Sequence, residues 1–477
     1  MKLKRRLISL ALVCVMLFSL AACGKQDGEK STDGGNTPTE VVSNGEESKN
    51  EVTPTEGSSD SAGKYPLAKK RTITVGTWYD VYYTSEHQSP EDNPSVTNYE
   101  TAQMQIDNVR AIEEKYNVEI IFKNLTWEGI MESINVSIMA GVPDCDIYMV
   151  DLQFGIPAVM NGLAQPIESF AAADSDIFTD QTVMRYLNIL NQDQNYLFNG
   201  YAVNADSYPL AFNLDMLEEL NLENPQDLWD RGEWTWDKWR EYLLATTRDV
   251  DGDGATDVYG YGGWWTTFLN QMLMSNATHI AGDVNEGLTS TPTIEVLDYI
   301  YQMYNVDKTA KAWDPNDWDV NGYWWKDGLV AFWPVAHWML DGNVDQVEFE
   351  VGVVPWPVGP NGNKDTNAGY MTAGNYYMIP VGVDDPETVY NVFYDWTNWY
   401  QDDVSYRDDT EWAENCYVTE RNFEYVVDMG TKQSFDIWGS LGVNFSLVDL
   451  MNGTKTASQL AEESKLIIQE ALDQYFQ

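Results

Sequence analysis

Three strand-like stretches alternate with two helix-like stretches between residues 71 and 152, and this order constrains the fold more than any other feature. The strand-like stretches are RTITVGTW, VEIIFKNL and CDIYMVDL. The two stretches between them repeat apolar residues every three or four positions, which is typical of helices that bury one face. Those residues are Ile106, Val109, Ile112 and Tyr116, then Ile130, Ile134 and Ile138, with Gly141 as the stop of the second helix. A β-α-β-α-β order predicts a parallel sheet with right-handed crossovers.

The residues that follow each predicted strand are candidates for a binding site, because ligands of parallel α/β sheets bind beyond the carboxyl ends of the strands. They are Trp78, Tyr79 and Asp80 after the first strand, Trp127 after the second, and Asp151 and Phe154 after the third. Aromatic rings and carboxylates are therefore expected at one edge of the sheet.

Further along the chain the pattern changes, and 477 residues favour two domains or one large split domain. A helix-rich region includes TWDKWREYLLATT, which Thr235 is expected to cap. Strand character returns near Val351, and the C-terminus is helical, with Thr456 and Gln459 as a capping box.

An aspartate-rich loop, RDVDGDGATDVYGYGGWW, begins at Arg248. Its residues match the start of an EF-hand loop, with Gly254 at the sharp turn, but Gly260 replaces the bidentate glutamate at position 12. Hard oxygen ligands at this spacing favour Ca²⁺, and the alternative is an Asx/Gly turn without metal. We expect a structural calcium that fixes the loop before Trp264 and Trp265. The expected ligands are Asp249, Asp251, Asp253, Ala255 (through its carbonyl) and Asp257.

The chain carries 28 basic and 75 acidic residues, a formal net charge of −47. A surface this acidic repels nucleic acids, which bind through Lys and Arg. It also disfavours strongly anionic substrates. Neutral or cationic ligands fit it better, and no nucleic acid partner is expected.

The N-terminal residues have the pattern of an export signal. MKLKRR is a basic region, LISLALVCVMLFSL is an apolar region too short to be taken as a membrane span, and LAAC ends at Cys23. LAAC resembles a bacterial lipobox, which implies a signal peptide over 1–22 and lipidation of Cys23. An ordinary signal peptide cleaved nearby is the alternative. Residues 23–64, rich in Gly, Ser, Thr and acidic residues and without an aromatic residue before Tyr65, are expected to be a disordered tether. The remaining Cys145 and Cys416 could pair or stay as two buried thiols.

Five segments occur in an order that resembles the extracellular solute-binding proteins of bacterial ABC importers, family 1, the maltose-binding-like sugar group. They are EEKYNVEI with MAGVPDCDIYMVD, GLAQPIES, YPLAFNLDMLEELNL, VGVVPWPVGPNG, and AGNYYMIPVGVDDPETVYNVFYDW. The resemblance implies an α/β fold of the two-lobed periplasmic-binding-protein-like type II class with a hinge between lobes. The implied lobes are 65–204 with 368–400, and 205–367 with 401–477. Chain crossings would lie near 201–209 and 367–374.

The resemblance also implies a function. We expect a monomeric, non-enzymatic receptor that is lipid-anchored on the extracellular face of a Gram-positive cell membrane and delivers a neutral oligosaccharide to an ABC permease. Sugar recognition needs flat rings for the C–H faces of pyranoses and polar groups for the hydroxyls. The expected ligand-binding residues are Trp78, Tyr79, Asp80, Asp151, Phe154, Asp206, Trp264, Trp265, Trp333, Trp338 and Asn375.

A secreted, calcium-stabilised glycoside hydrolase is the rival interpretation. Such an enzyme needs two carboxylates poised across a glycosidic bond, and no pair stands out in the sequence. The chain also lacks G-x-S-x-G, H-E-x-x-H and P-loop motifs. Within the binding class, a quaternary amine in a tryptophan cage is an open alternative.

Overall fold

The computed structural model describes the chain in segments between Lys64 and Phe476, all within the compact unit formed by residues 56–477. The described residues are 64–81, 89–93, 96, 98–172, 175, 194–198, 208–312, 324–336, 347–365, 376–401, 403–407, 416–417, 419–432, 434 and 436–476. The signal peptide and all of the predicted tether except Lys64 lie outside them. Lys64 itself forms ion pairs with Asp385 and Glu387, so the chain is already held against the fold at that residue.

Eight strands and thirteen α-helices are defined in the described segments. The strands are β1 (Arg71–Thr77), β2 (Val118–Asn124), β3 (Ile147–Val150), β4 (Leu210–Asn213), β5 (Tyr259–Tyr261), β6 (Val330–Pro334), β7 (Val351–Val354) and β8 (Tyr376–Met378). The helices are α1 (Tyr99–Tyr116), α2 (Trp127–Ser133), α3 (Leu152–Met160), α4 (Leu214–Glu219), α5 (Pro225–Asp230), α6 (Trp236–Thr246), α7 (Trp265–Ser275), α8 (Thr291–Tyr301), α9 (Pro386–Thr397), α10 (Val404–Arg407), α11 (Glu420–Thr431), α12 (Val448–Met451) and α13 (Ala457–Tyr475).

The first sheet has the strand order β2-β1-β3-β8. Strand β1 pairs in parallel with β2 and β3, as the β-α-β-α-β pattern predicts, and β8 joins antiparallel to β3. The last strand comes from a segment more than 200 residues later in the sequence, so the chain returns to this sheet after building the second one. The carboxyl ends of β1, β2 and β3 therefore open onto the same edge.

The two helices between these strands bury the faces that their periodicity predicts. In α1 the side chains of Ile106, Val109, Ile112 and Tyr116 are buried, and Asn98 caps the first turn. Helix α2 buries Ile130 and continues as a π-helical turn, Ile134–Ile138. Gly141, with φ of 76°, follows that turn in the left-handed conformation that glycine adopts most readily.

The second sheet has the order β5-β6-β4-β7 and mixes pairing directions. Strands β5 and β6 are parallel, whereas β4 is antiparallel to both β6 and β7. Gly352 in β7 faces the Phe212 ring of β4 so closely that a Cβ there would lie 2.1 Å from the ring. A glycine at this position therefore leaves room for the far end of the Phe212 ring.

An aromatic core supports the second sheet. Trp239 contacts Tyr261, Phe268 and Trp356 at ring-centroid distances of 5.8–6.2 Å, and Trp234 contacts Phe332 at 5.9 Å. Much of the tryptophan content therefore serves packing, since fully buried aromatic rings contribute large apolar areas.

Two predicted helix starts are present. Thr235 accepts a hydrogen bond from the Lys238 N–H at the start of α6, and Thr456 and Gln459 form a reciprocal capping box before α13. Cys145 and Cys416 are buried thiols in separate hydrophobic clusters, which answers the open question of pairing. The predicted crossings near 201–209 and 367–374 fall almost wholly outside the described residues, and the lobe boundaries stay a prediction.

Candidate functional site

Three aromatic side chains meet at the carboxyl edge of the first sheet. Trp78 follows β1, Trp127 begins α2 just after β2, and Phe154 lies in the first turn of α3 after β3. Their rings pack edge to face, with centroids 5.1 Å apart for Trp78–Trp127, 5.9 Å for Trp78–Phe154 and 5.1 Å for Trp127–Phe154. We call these three residues the strand-end aromatic cluster. The two tryptophans are half-buried, so part of each indole faces solvent.

Polar groups surround this cluster. Asp80 is exposed and accepts a hydrogen bond of 3.0 Å from the Asn124 amide, which links the ends of β1 and β2. Tyr79 is 43% exposed beside them. The carboxylate and the tyrosine hydroxyl are suited to hydrogen-bonding a polar ligand.

Asp151 is the buried acid of this edge. It caps α3, and its carboxylate accepts a 2.8 Å hydrogen bond from the Gln153 N–H. Burial raises the pKa of this carboxyl to about 7, opposed by the hydrogen bonds from Gln153. Within the described segments no cation pairs with it. Asp151 can therefore carry a proton near neutral pH and serve either as a donor or as an acceptor.

The predicted site residues of the second sheet lie around the start of α7. Trp264 immediately precedes the helix and contacts Tyr208 and Trp333 at ring-centroid distances of 6.4 and 5.9 Å. Trp264 is 7% exposed and Trp333 in β6 is 3% exposed. Both rings therefore contribute mainly to packing in this conformation, with only a small face available to a ligand.

Trp265, the first residue of α7, is half-buried and stacks on Trp438. The two ring centroids are 5.9 Å apart and the planes are inclined by 27°. Gly263, just before Trp264, lets the chain pass close to Pro334 at the end of β6, because a Cβ on Gly263 would lie 2.6 Å from the proline ring.

The structure thus groups the predicted residues in three places. Trp78, Tyr79, Asp80, Asp151 and Phe154 share the edge of the first sheet, Trp264 lies against Trp333, and Trp265 is stacked on a residue that sequence reasoning missed. Asp206, Trp338 and Asn375 lie outside the described residues. Asn124 was also missed, although its position at the end of β2 could have indicated it. No sequence pattern indicated Trp438, because only tertiary packing brings it against α7.

The aspartate loop converges on one point. Carboxylate oxygens of Asp249, Asp251 and Asp257 lie within 4.8 Å of one another. Asp249 accepts hydrogen bonds from the Gly254 and Gly252 N–H groups, which lower its pKa. Asp257 accepts from the Val250 N–H at 2.7 Å.

The other two expected ligands have different positions. Asp253 is not in the converging group, and its carboxylate accepts from the Ala255 N–H at 2.7 Å. The Arg248 and Val258 backbones pair on either side of the loop and lead directly into β5. The loop is therefore a closed surface turn anchored at the start of a core strand.

The described segments contain no helix that is long and apolar enough to cross a membrane.

Comparisons with known proteins place the chain in a family. The profile of the bacterial extracellular solute-binding proteins matches residues 93–402. A protein of Brucella abortus strain 2308 that is described only as a binding protein is 20% identical over 267 residues. That alignment spans 53% of this chain and only 59% of the relative.

Solved structures share the fold at low sequence identity. The ABC substrate-binding protein of Listeria monocytogenes in complex with cycloalternan has a TM-score of 0.59 at 12% identity, covering 86% of this chain and 100% of that one. The cyclic α-maltosyl-1,6-maltose binding protein of Arthrobacter globiformis has a TM-score of 0.60 at 13% identity, covering 84% and 98%. UgpB of Mycobacterium tuberculosis in complex with glycerophosphocholine also reaches 0.60 at 13% identity, covering 84% and 98%. The two-lobed type II fold is thereby confirmed, and the chain belongs to the bacterial extracellular solute-binding protein family.

Proposed function

We propose that this protein is the receptor of an ABC importer and binds a neutral carbohydrate, most suitably an oligosaccharide, in a cleft between two lobes. The observation that carries the proposal is the strand-end aromatic cluster with Asp80, Asn124 and Asp151 beside it. Half-buried indole faces match the apolar C–H faces of pyranose rings, and the polar groups match hydroxyls.

Charge supports a neutral ligand. The formal net charge is −47, and neither Asp80 nor Asp151 has an ion pair with a described Lys or Arg. An anionic ligand would need basic side chains to offset the repulsion. The Listeria monocytogenes relative was solved with cycloalternan, and the Arthrobacter globiformis relative is named as a binding protein for cyclic α-maltosyl-1,6-maltose. Both ligands agree with a neutral carbohydrate.

Anchoring and delivery rest on the N-terminal sequence and on the family. Lipidation of Cys23 after removal of residues 1–22 would hold the protein at the outer face of the membrane, and the 23–64 segment would give it reach to a permease. We propose a monomer, because a single cleft closing on a solute needs no second copy. We also propose that the protein has no enzymatic activity of its own.

The glycoside hydrolase alternative is less well supported. Hydrolysis needs an ionised and a protonated carboxyl on opposite sides of one bond. Asp151 is 7% exposed and one of its oxygens caps α3, which leaves room for a hydrogen bond to a ligand hydroxyl but not for the access that a hydrolytic acid needs to the scissile bond. Asp80 is committed to Asn124 at the rim.

We further propose that the aspartate loop holds Ca²⁺. The converging oxygens of Asp249, Asp251 and Asp257 are hard donors of the kind that calcium prefers, and the hydrogen bonds that they accept from described residues come from backbone N–H groups rather than from Lys or Arg. Bound calcium would balance the charge of these carboxylates. Asp253 and the Ala255 carbonyl would complete the ligand set after a small rearrangement of the turn.

The experiment is a thermal-shift screen of the purified protein against oligosaccharides and glycerophosphocholine, with a parallel assay for released reducing sugar. A saturable rise in melting temperature with an oligosaccharide and without product supports the receptor. Release of reducing sugar would establish the hydrolase instead. A rise with glycerophosphocholine alone would reject the carbohydrate and retain a solute receptor.

A further inference from the structure

A buried carboxylate lies far from the strand-end aromatic cluster in sequence and organises the turn that carries Trp438. Asp436 is 1% exposed. One oxygen accepts a 2.6 Å hydrogen bond from the Ile280 N–H, and the other accepts from the Ala281 N–H at 2.9 Å and the Trp438 N–H at 3.1 Å. Three backbone donors thus fix this side chain between two separate segments of the chain.

Burial raises the pKa of Asp436, whereas the neighbouring His279 and the backbone hydrogen bonds act in the opposite direction. His279 is itself held by a 2.9 Å hydrogen bond between its Nε2 and the Ser434 hydroxyl. The segment from Ser434 to Trp438 is therefore attached to the loop at 279–281 at two points.

Trp438 transmits this arrangement to α7. Its indole N–H donates a 2.7 Å hydrogen bond to the Asn270 side chain of α7, and its ring stacks on Trp265 at the first turn of the same helix. Phe445 packs against the ring edge at 5.3 Å. The orientation of Trp265 therefore depends on where the turn at Ile437–Ser440 places Trp438.

The same turn also contacts the first half of the candidate site. Helix α3, which begins with Asp151 as its cap and carries Phe154, packs against the Ile437–Ser440 turn. Just beyond the turn, Gly442 faces Pro157 of α3 at a spacing that would leave a Cβ 3.7 Å from the proline ring. One short segment thus touches both the helix behind the strand-end aromatic cluster and the helix that carries Trp265.

We propose that Asp436 is a positioning residue for ligand binding, which acts through Trp438 to set Trp265 relative to α3. This proposal rests on the proposed receptor function. Asp436 does not contact the ligand. An asparagine of the same shape would present an NH₂ group to at least one of the backbone N–H donors, so the turn should shift and the stacked pair should loosen.

The test compares D436N with D307N in the full chain. Asp307 is a matched control because its carboxylate also accepts several hydrogen bonds, but these come from Arg240 and Gln302 and not from α3 or the Ile437–Ser440 turn. Near-UV circular dichroism measures the stacking of Trp265 on Trp438, and the spectrum of W265F, which lacks this pair, is the reference. Titration with maltotriose, cycloalternan and glycerophosphocholine measures affinity.

We expect D436N to lose the dichroism of the pair and to bind the effective probe about tenfold more weakly, while D307N matches the wild type in both readouts. W438F removes the stacked pair directly; it serves if D436N does not fold, and it should give the same loss of affinity. Retention of the affinity in D436N or in W438F would overturn the proposal. If the wild type binds none of the probes, loss of the dichroism in D436N would support the placement of Trp438 and Trp265 by Asp436 and would count against the proposed receptor function for these ligands.

Discussion

The Asp151 carboxylate accepts a 2.8 Å hydrogen bond from the Gln153 N–H while its side chain is almost completely buried at the end of β3. The hydrogen bonds from Gln153 do not offset the cost of burying a charge, so the pKa of the carboxyl rises to about 7 from its ordinary value near 3.8. The protein keeps a titratable acid at the place where β3 meets the candidate ligand site.

The raised pKa predicts a pH-dependent stability. The folded state binds the Asp151 proton more tightly than the unfolded state does, so this contribution is complete below about pH 4 and is lost as the pH rises through 7. The shift corresponds to a free energy on the order of 4 kcal/mol. Chemical unfolding of D151N from pH 4 to 8 should show a smaller loss of stability with rising pH than the wild type. Parallel curves for the two proteins would contradict this assignment.

Removal of one carboxylate from the aspartate loop should abolish stabilisation by calcium. We expect Ca²⁺ to raise the melting temperature of the wild type by a few degrees over EGTA, since a ligand bound only to the folded state stabilises it by mass action. D251N should not respond, because the converging group then has only two acids. D283N is the control, because Asp283 is an exposed aspartate outside the loop that bonds only the neighbouring Val284 N–H. An equal calcium response in D251N and D283N would exclude the site.

Trp78 and Trp234 should respond differently to truncation. Trp78 is half-buried in the strand-end aromatic cluster, so W78A should weaken carbohydrate binding by tenfold or more, about 1.5–3 kcal/mol, with a small effect on folding. Trp234 is 1% exposed in the core, so W234A should lower the free energy of unfolding by about 3–5 kcal/mol. Calorimetric titration and denaturant unfolding measure the two effects. Unchanged affinity in a folded W78A protein would remove Trp78 from the site.

Both cysteines of the folded part should resist modification. Burial raises the pKa of Cys145 to about 12, so its reactive thiolate is scarce at pH 8, and Cys416 is 6% exposed. With Cys14 and Cys23 replaced by serine, a thiol reagent should label neither residue in the native protein and both in guanidinium without reductant. Two unlabelled cysteines in the unfolded chain would reveal a disulfide.

The packing of Gly352 against Phe212 also makes a prediction. G352A should be strongly destabilising, because its Cβ would lie 2.1 Å from the Phe212 ring, where edge strand β7 pairs with β4 in the second sheet. Overpacking a well-filled core typically lowers the free energy of unfolding by about 1–3 kcal/mol. F212L in the same background should recover part of the loss by opening space, and failure to recover any would place the strain elsewhere.

Local sequence determined the first half of the fold. The alternation of β-branched strands with amphipathic helices is a short-range pattern, and β1, α1, β2, α2 and β3 follow its order, although β3 is only Ile147–Val150 and α2 continues as a π-helical turn after Ser133. The helix caps at Thr235 and Thr456 were equally readable, because a cap depends on residues three positions apart. The strand-end aromatic cluster could also be predicted from the sequence, because the carboxyl ends of parallel strands lie at one edge of the sheet.

Local sequence patterns could not predict the contacts between distant segments, although the family resemblance had assigned 368–400 to the first lobe. Antiparallel β8 joins the first sheet from residues 376–378, and Trp438 reaches Trp265 across more than 170 residues of chain. Such contacts depend on how complete helices and sheets pack, and no local periodicity encodes them. Burial also decided which tryptophans belong to the core. The sequence predicted Trp264 and Trp333 as ligand-binding residues, whereas in the folded chain they are 7% and 3% exposed. The charge state of Asp151 follows from that same burial, which only the folded chain creates.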